Sequence, residues 1–269
     1  VGSANALIAG LSQRNTPSHL IHTSGTGILA WADAESSTYG VERKKVYDDW
    51  DNISEVTSLP DTAVHRNVDK LVLAAHTNAP QISTAIVCPP CIYGPGRGPD
   101  NRESVQAYRY SAATLKRGKG FVVEGGTNVW TQVHVRDLSA VFLALVTAAL
   151  QPGGSGNVTW NDAGYYFAEA GSFAWGDVGR AIAQIALDKG FIGDADVESI
   201  TVAETNKLDP SGSYLWGTNS RCKAVRAREV LGWEPKEKGL MELLPEIVEG
   251  EATKLGVRKG HAVKAAGDA

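Results

Sequence analysis

Three groups of side chains in this 269-residue sequence have types and spacings suited to chemistry. Ser24 and Thr26 flank Gly25 where a short apolar run ends, which sets hydroxyls around a turn. His65-Arg-Asn-Val-Asp-Lys70 brings an imidazole, a guanidinium, a carboxylate and an ammonium group onto one predicted helix. Of these, His65 has an unperturbed pKa of about 6.5 and so suits proton transfer near neutrality. The guanidinium of Arg66, with a pKa above ~12, cannot act as acid or base there; it grips a carboxylate or phosphate in bidentate fashion or forms a surface ion pair. In the third group, His134 and Arg136 alternate with Val133 and Val135 on a predicted strand and share one face, and Asp137 is expected to N-cap the helix that follows. A structural hydrogen bond is the plainer role for His134.

Two further clusters have bland readings. Cys88-Pro-Pro-Cys91 has C-x-x-C spacing, but a redox pair wants its first thiol at a helix N-terminus, and this one leaves a strand into a Pro-rich loop. No second ligand pair completes a zinc site, so no metal is expected. The acidic run Asp48-Asp-Trp-Asp51 reads as a solvated loop. Trp130, Trp175, Trp216 and Trp233 read as packing, with Trp216 also suited to a cleft wall.

The elements that must position these groups follow from apolar periodicity. Ala4, Leu7, Ile8 and Leu11 mark a helix over Ser3–Leu11, ended by Pro17. His19–Ser24 and Ile82–Val87 are short apolar runs that stop at Gly or Pro, as buried parallel strands do. Between them a helix is predicted from Pro60 to Asn78, with Val64, Val68, Leu71, Val72 and Ala75 on its apolar face, giving a βαβ unit. Helices are predicted at Ser104–Lys116, Leu138–Leu150, Phe173–Lys189, Lys223–Leu231 and Leu240–Leu255. A strand pair is predicted at Phe121–Glu124 and Thr131–Val135, with further strands at Asn157–Trp160 and Ser199–Val202 and a frayed tail at Lys259–Ala269.

The composition excludes several classes of protein. With 43% hydrophobic and 21% charged residues the chain has enough apolar content to fold around a core. Its 26 Lys+Arg against 30 Asp+Glu give a net charge of −4 with no basic run, which argues against a nucleic-acid partner. No apolar stretch is long enough for a membrane span, the start lacks a secretory signal, and three cysteines make no disulfide framework. These features predict a cytoplasmic protein with no membrane partner.

Four stretches, in order, resemble the extended short-chain dehydrogenase/reductase family of the NAD-dependent epimerase/dehydratase type, in its fungal members above all. They are Ile21-His-Thr-Ser-Gly-Thr26, Ile86-Val-Cys-Pro-Pro-Cys-Ile-Tyr-Gly-Pro-Gly96, Val133-His-Val-Arg-Asp-Leu138 and Leu231-Gly-Trp-Glu-Pro235. The resemblance implies α/β architecture: the C-terminal part of a doubly wound Rossmann-type parallel sheet over 1–92, and over 93–269 mainly a smaller mixed α/β substrate lobe, with segments returning to the Rossmann sheet. It implies NAD or NADP as cofactor and hydride transfer on a small polar substrate, with a homodimer formed through the Pro60–Asn78 helix.

The family's dinucleotide loop, G-x-x-G-x-x-G or G-x-G-x-x-G, does not occur, and Gly94-Pro-Gly-Arg-Gly98 runs into Pro99 and opens no helix. The expectation is that an N-terminal dinucleotide-binding portion precedes Val1 and that this chain alone binds the dinucleotide weakly or not at all. The family's Tyr and the Lys four residues later align with Arg66 and Lys70, and its hydroxyl position with Gly25 between Ser24 and Thr26. Ser24, Thr26 and Lys70 are therefore the expected catalytic groups, with Ser24, Gly25, Lys70, Pro89, Pro90 and Ile92 at the cofactor. Arg66, Tyr93, His134 and Arg136 are expected at the substrate. With Arg66 in the Tyr position, His65, Tyr39 or Tyr93 would have to move the proton, or the protein binds a dinucleotide without redox chemistry; Lys70 has the alternative of a solvated or ion-paired helix lysine.

Overall fold

In the computed structural model, which describes residues 1–151 and 156–257, α1 (Gly2–Ser12) leads into β1 (Ser18–Thr23). A 3₁₀ turn at Thr26–Ala30 then runs into α2 (Trp31–Glu35). β2 (Tyr47–Asp48) and α3 (Ile53–Thr57) precede α4 (Arg66–Asn78), β3 (Ile82–Cys88) and β4 (Cys91–Tyr93). Next come α5 (Gln106–Arg117), β5 (Gly120–Val123), β6 (Val129–His134) and α6 (Val135–Ala149). β7 (Tyr165–Phe167), β8 (Ser172–Ala174), α7 (Trp175–Asp188) and β9 (Val197–Ile200) follow. The chain continues through α8 (Val202–Leu208), α9 (Gly212–Gly217), β10 (Cys222–Lys223), α10 (Val225–Leu231) and α11 (Leu240–Lys254). The predicted tail lies outside the described residues.

The expected βαβ unit is present. β1 and β3 run parallel, in register from Ser18 opposite Ile82 to Thr23 opposite Val87, and β7 joins on the far side of β3. α4 covers this sheet because Val72 and Ala75, one turn apart, face inward and are buried. The core beneath it gathers Ile28, Val87, Val133, Leu145, Tyr165 and Trp233. A second core forms around Phe121, Tyr110, Trp175, Trp216 and Leu244, in which Tyr110 stacks on Phe121 with ring centroids 4.4 Å apart. Trp216 is fully buried there and its indole N–H donates to the Gln106 carbonyl, so it lines no cleft. Among the described residues no helix is long and apolar enough to cross a membrane.

Several sequence expectations need correction. The helix predicted from Pro60 begins at Arg66, because His65 adopts the left-handed conformation (φ 70°) and a regular helix cannot run through it. Phe121–Glu124 and Thr131–Val135 do not pair with each other: β5 pairs with β9, and β6 lies between β4 and β8. The link between β5 and β6 is no hairpin turn, since the Thr127 amide donates to the Gly40 carbonyl. Asn157–Trp160 is irregular, and the strand next to β3 is β7.

The segment from α9 to α10 ties the second half of the chain to the first. Tyr214 Oη donates to the Gly27 carbonyl (2.6 Å), Ser220 Oγ meets Thr26 Oγ1 (2.7 Å), and Asn219 donates through Nδ2 to Asp33 (2.9 Å). Asp49 is the strongest of these ties and overturns the reading of Asp48–Asp51 as a solvated loop. It is fully buried, and its carboxylate accepts the backbone N–H groups of Phe167, Val225 and Arg226 at 2.7, 2.8 and 2.9 Å. Two of those donors open α10, where the orphan amides of a helix N-terminus favour an anion. Burial pushes the Asp49 carboxyl up, and the three amides and the Arg226 guanidinium hold it down.

Candidate functional site

A cavity of about 610 Å³ opens where β1, β3 and the heads of α4 and α5 converge. Ser24 and Gly25 lead out of β1, Pro89, Pro90 and Ile92 lead out of β3, Val64 and His65 precede α4, and Val105 and Gln106 begin α5. Trp130, Pro210, Tyr214 and Leu215 close the far side. The position agrees with the rule that open α/β sheets bind ligands beyond the carboxyl ends of their strands.

Its chemistry centres on the imidazole of His65. The ring leans over Gly25 so closely that a Cβ there would lie 3.1 Å from Nε2, which explains a glycine where the resemblance leads one to expect a hydroxyl side chain. Burial lowers the His65 pKa, and the neighbouring Asp69 opposes that shift, so the ring is neutral at pH 7. Asp69, four residues on and one helical turn deeper, is buried beneath it. Its Oδ2 accepts from Ser24 Oγ (2.9 Å) and Tyr165 Oη (3.1 Å), and His22 Nε2 stands 3.7 Å from Oδ1. Burial raises the Asp69 carboxyl, while the Ser24 and Tyr165 hydroxyls stabilise its charge.

The expected Arg66 and Lys70 pair is therefore off by one residue. Lys70 Nζ points outward to Asp61, with contacts of 2.6 and 2.9 Å, and lines no part of the cavity. Arg66 is buried away from it, with Nε donating to the Leu59 carbonyl (2.9 Å). One helical step turns a side chain by about 100°, so shifting the match by one places His65 and Asp69 at the site and sends Lys70 to the surface. Lys70→Ala is expected to leave turnover and the unfolding midpoint at their wild-type values; a large drop in kcat would return Lys70 to the site.

Ser24, Gly25, Pro89, Pro90 and Ile92 come together as expected, and Thr26 does not. Its hydroxyl is buried against Ser220, and its amide donates to the Pro89 carbonyl (2.9 Å), so it fixes the turn. Tyr93 is buried with Oη donating to the Lys238 carbonyl (3.0 Å). His134 does not lie mid-strand beside Arg136. It N-caps α6, accepting the Arg136 amide on Nδ1 (3.1 Å), and its ring covers Gly94, whose φ of 87° and missing Cβ the contact requires. Arg136 pairs with Glu237 outside the cavity. Asp137 is not the N-cap; its carboxylate accepts the Lys236 and Glu237 amides, and its carbonyl accepts the Trp233 indole N–H. Two of the four resemblance motifs thus serve to dock one another.

All three cysteines are buried and unpaired, and burial raises each thiol, Cys91 to about 12. Such thiols are inert, so Ellman's reagent is expected to react with none in native buffer and with all of them after denaturation. Rapid reaction of one native thiol would contradict the packing described.

No family profile matches the chain. The fold does resemble solved members of the extended class: a UDP-glucose 4-epimerase of Thermotoga maritima, in complex with UDP-glucose, aligns at 16% identity and a TM-score of 0.57, covering 94% of this chain and 69% of that one. A UDP-glucuronic acid 4-epimerase of Bacillus cereus, bound to UDP-glucuronic acid and NAD, aligns at 12% identity and 0.59, covering 95% and 67%. The chain thus has the extended short-chain dehydrogenase/reductase fold of the epimerase/dehydratase type. Over 263 residues it is 36% identical to oxidase ucsJ of an Acremonium species, 95% of this chain and 76% of that protein, and it belongs to that protein's family.

Proposed function

We propose that the chain is an NAD(P)-dependent oxidoreductase of this family that acts on a hydroxyl-bearing small molecule, with His65 as the proton-transferring group. The observation that carries this reading is the neutral His65 imidazole held over Gly25 beside Ser24. Ser24 commits its hydroxyl proton to Asp69, so toward a ligand its oxygen is an acceptor. A neutral imidazole next to an acceptor hydroxyl receives the proton of a substrate alcohol, which is the direction of oxidation. Asp69 orients Ser24 and favours the imidazolium that results.

Ser24, Gly25, Pro89, Pro90 and Ile92 form an uncharged wall that fits a nicotinamide ring, and these residues would hold it. When bound, an oxidised nicotinamide accepts a hydride. The family's ribose-binding lysine has no counterpart in the cavity, since Lys70 faces Asp61.

The test is incubation with millimolar NAD⁺ and NADP⁺, since the sequence carries no glycine-rich dinucleotide loop and weak binding is expected, against a panel of secondary alcohols, and with the reduced forms against the matching ketones. Turnover is expected. Cofactor binding by calorimetry with no turnover in either direction would favour the competing reading, suggested by Lys70's outward turn, of a dinucleotide-binding protein without redox chemistry. The pH profile gives a second readout. The basic form of His65 is lost as pH falls through its lowered pKa, so kcat/KM for oxidation is expected to stay level down past about 6.5 and decline only below it. A decline beginning near pH 8 would assign the base to another group.

A further inference from the structure

We infer that the substrate sharing this cavity with the nicotinamide end of the cofactor is uncharged and largely apolar, and is neither a sugar nucleotide nor an acid. The inference rests on the reading of the cavity as the substrate site. It goes beyond that reading by naming the substrate class, and it departs from the sequence-based expectation of a polar one.

The argument is one of charge balance. None of the side chains lining the 610 Å³ space is Lys, Arg, Asp or Glu. Its body is Ile92, Val105, Trp130, Pro210 and Leu215, and its polar groups are Ser24, Ser104, Gln106, Ser211 and the neutral His65. The remaining titratable wall group, Tyr214, is spent on the Gly27 carbonyl, and burial raises its pKa. The charges adjacent in sequence do not line the space: Arg66 is buried with Nε donating to the Leu59 carbonyl (2.9 Å), and Glu103 pairs with Lys254. Arg109 pairs with Asp209 at 3.3 Å, beside Pro210, and Arg102 lines a separate cavity with Glu103, Glu246 and Glu251.

The doubly negative diphosphate of a sugar-nucleotide substrate would have to be desolvated among these side chains against nothing but two helix N-termini, those of α4 and α5, each equivalent to about half a positive charge. Those ends suit the partial charge of one carbonyl or hydroxyl oxygen, placed within reach of Ser24 and His65. The apolar wall then accounts for the rest of the ligand, in a volume typical of small-molecule sites. The related folds that hold UDP-glucose and UDP-glucuronic acid are 16% and 12% identical to this chain, a likeness of fold alone.

The test is a fluorescence titration of the whole chain with prodan, a neutral aryl ketone whose emission shifts to the blue on desolvation, followed by competition with UDP-glucose. The expected result is saturable binding, unaffected by millimolar UDP-glucose, and weakened about tenfold by Val105→Lys, which sets a cation on the wall. Val105 is exposed at the rim, so the variant is expected to keep the wild-type circular dichroism spectrum and unfolding midpoint. Binding of UDP-glucose more tightly than prodan, or prodan binding indifferent to Val105→Lys, would overturn the inference. Because the readout is binding, it is independent of the chemistry. Prodan binding without turnover of any alcohol sinks the oxidoreductase reading alone, whereas turnover of a sugar nucleotide sinks the substrate class alone.

Discussion

Replacing His65 with glycine is expected to lower kcat by about 10²–10⁴-fold, the usual contribution of a positioned general base, with a much smaller change in KM. Glycine is the informative choice because His65 sits at φ 70°, where an L side chain is strained by roughly 1–2 kcal/mol and glycine is not. The variant should therefore fold at least as stably as the wild type while losing activity, a combination that a purely structural histidine would not give. The cavity is open above Gly25, so added imidazole is expected to restore part of the lost rate. Wild-type kcat in this variant, or lost activity together with a lower unfolding midpoint and no rescue, would remove His65 from the mechanism.

Asp49→Ala is expected to be the most damaging single change to stability, costing about 3–5 kcal/mol by urea unfolding. The variant strands three backbone amides and leaves the buried Arg226 without its compensating carboxylate. Arg226 keeps its bonds to the Asp49 carbonyl and Thr159 Oγ1, so the loss is electrostatic, with little change in shape. Asp49→Asn separates charge from size, because one face of the amide can still accept while the other meets N–H donors; its cost should fall between wild type and alanine. A loss of less than about 1 kcal/mol for the alanine variant would show that the amides find water instead.

Much of the scaffold was legible in the residues, and the reasons for the failures are physical. The β1, α4, β3 unit and the wall of Ser24, Gly25, Pro89, Pro90 and Ile92 follow from local pattern: apolar runs that end in Gly or Pro. The helix start was not legible. Two overlapping spacings of four, Arg66 with Lys70 and His65 with Asp69, fit the same helix, and the family's pattern favoured the first because it contains a lysine. The signal that could have decided was the company of each polar group, since Asp69 falls between Val68 and Val72 on the inward face whereas Lys70 falls outside it. The role of Asp49 is hidden in the sequence for a related reason. Its donors lie more than a hundred residues away, and the run Asp48-Asp-Trp-Asp51 has the composition of a solvated loop whether or not one member is buried. Adjacency in sequence predicts a β5–β6 pair, but their partners come from residues 197–200, 91–93 and 172–174.

The ties between the two halves of the chain also have a consequence in time. The turn that carries Ser24 and Gly25 is fastened by Ser220 and Tyr214, and the loop before α3 by Val225 and Arg226. Each of these partners is made long after the residues it holds: 194 positions separate Ser220 from Thr26. At typical synthesis rates of about 5–20 residues per second, a nascent chain would wait roughly 10–40 s between the appearance of the turn and that of its fastener. During that interval β1 and β3 can pair, but the cavity lacks its far wall. A complete cavity in this fold therefore arrives late, with the last third of the polypeptide, and a ribosome stalled before residue 214 would hold a sheet without its far wall.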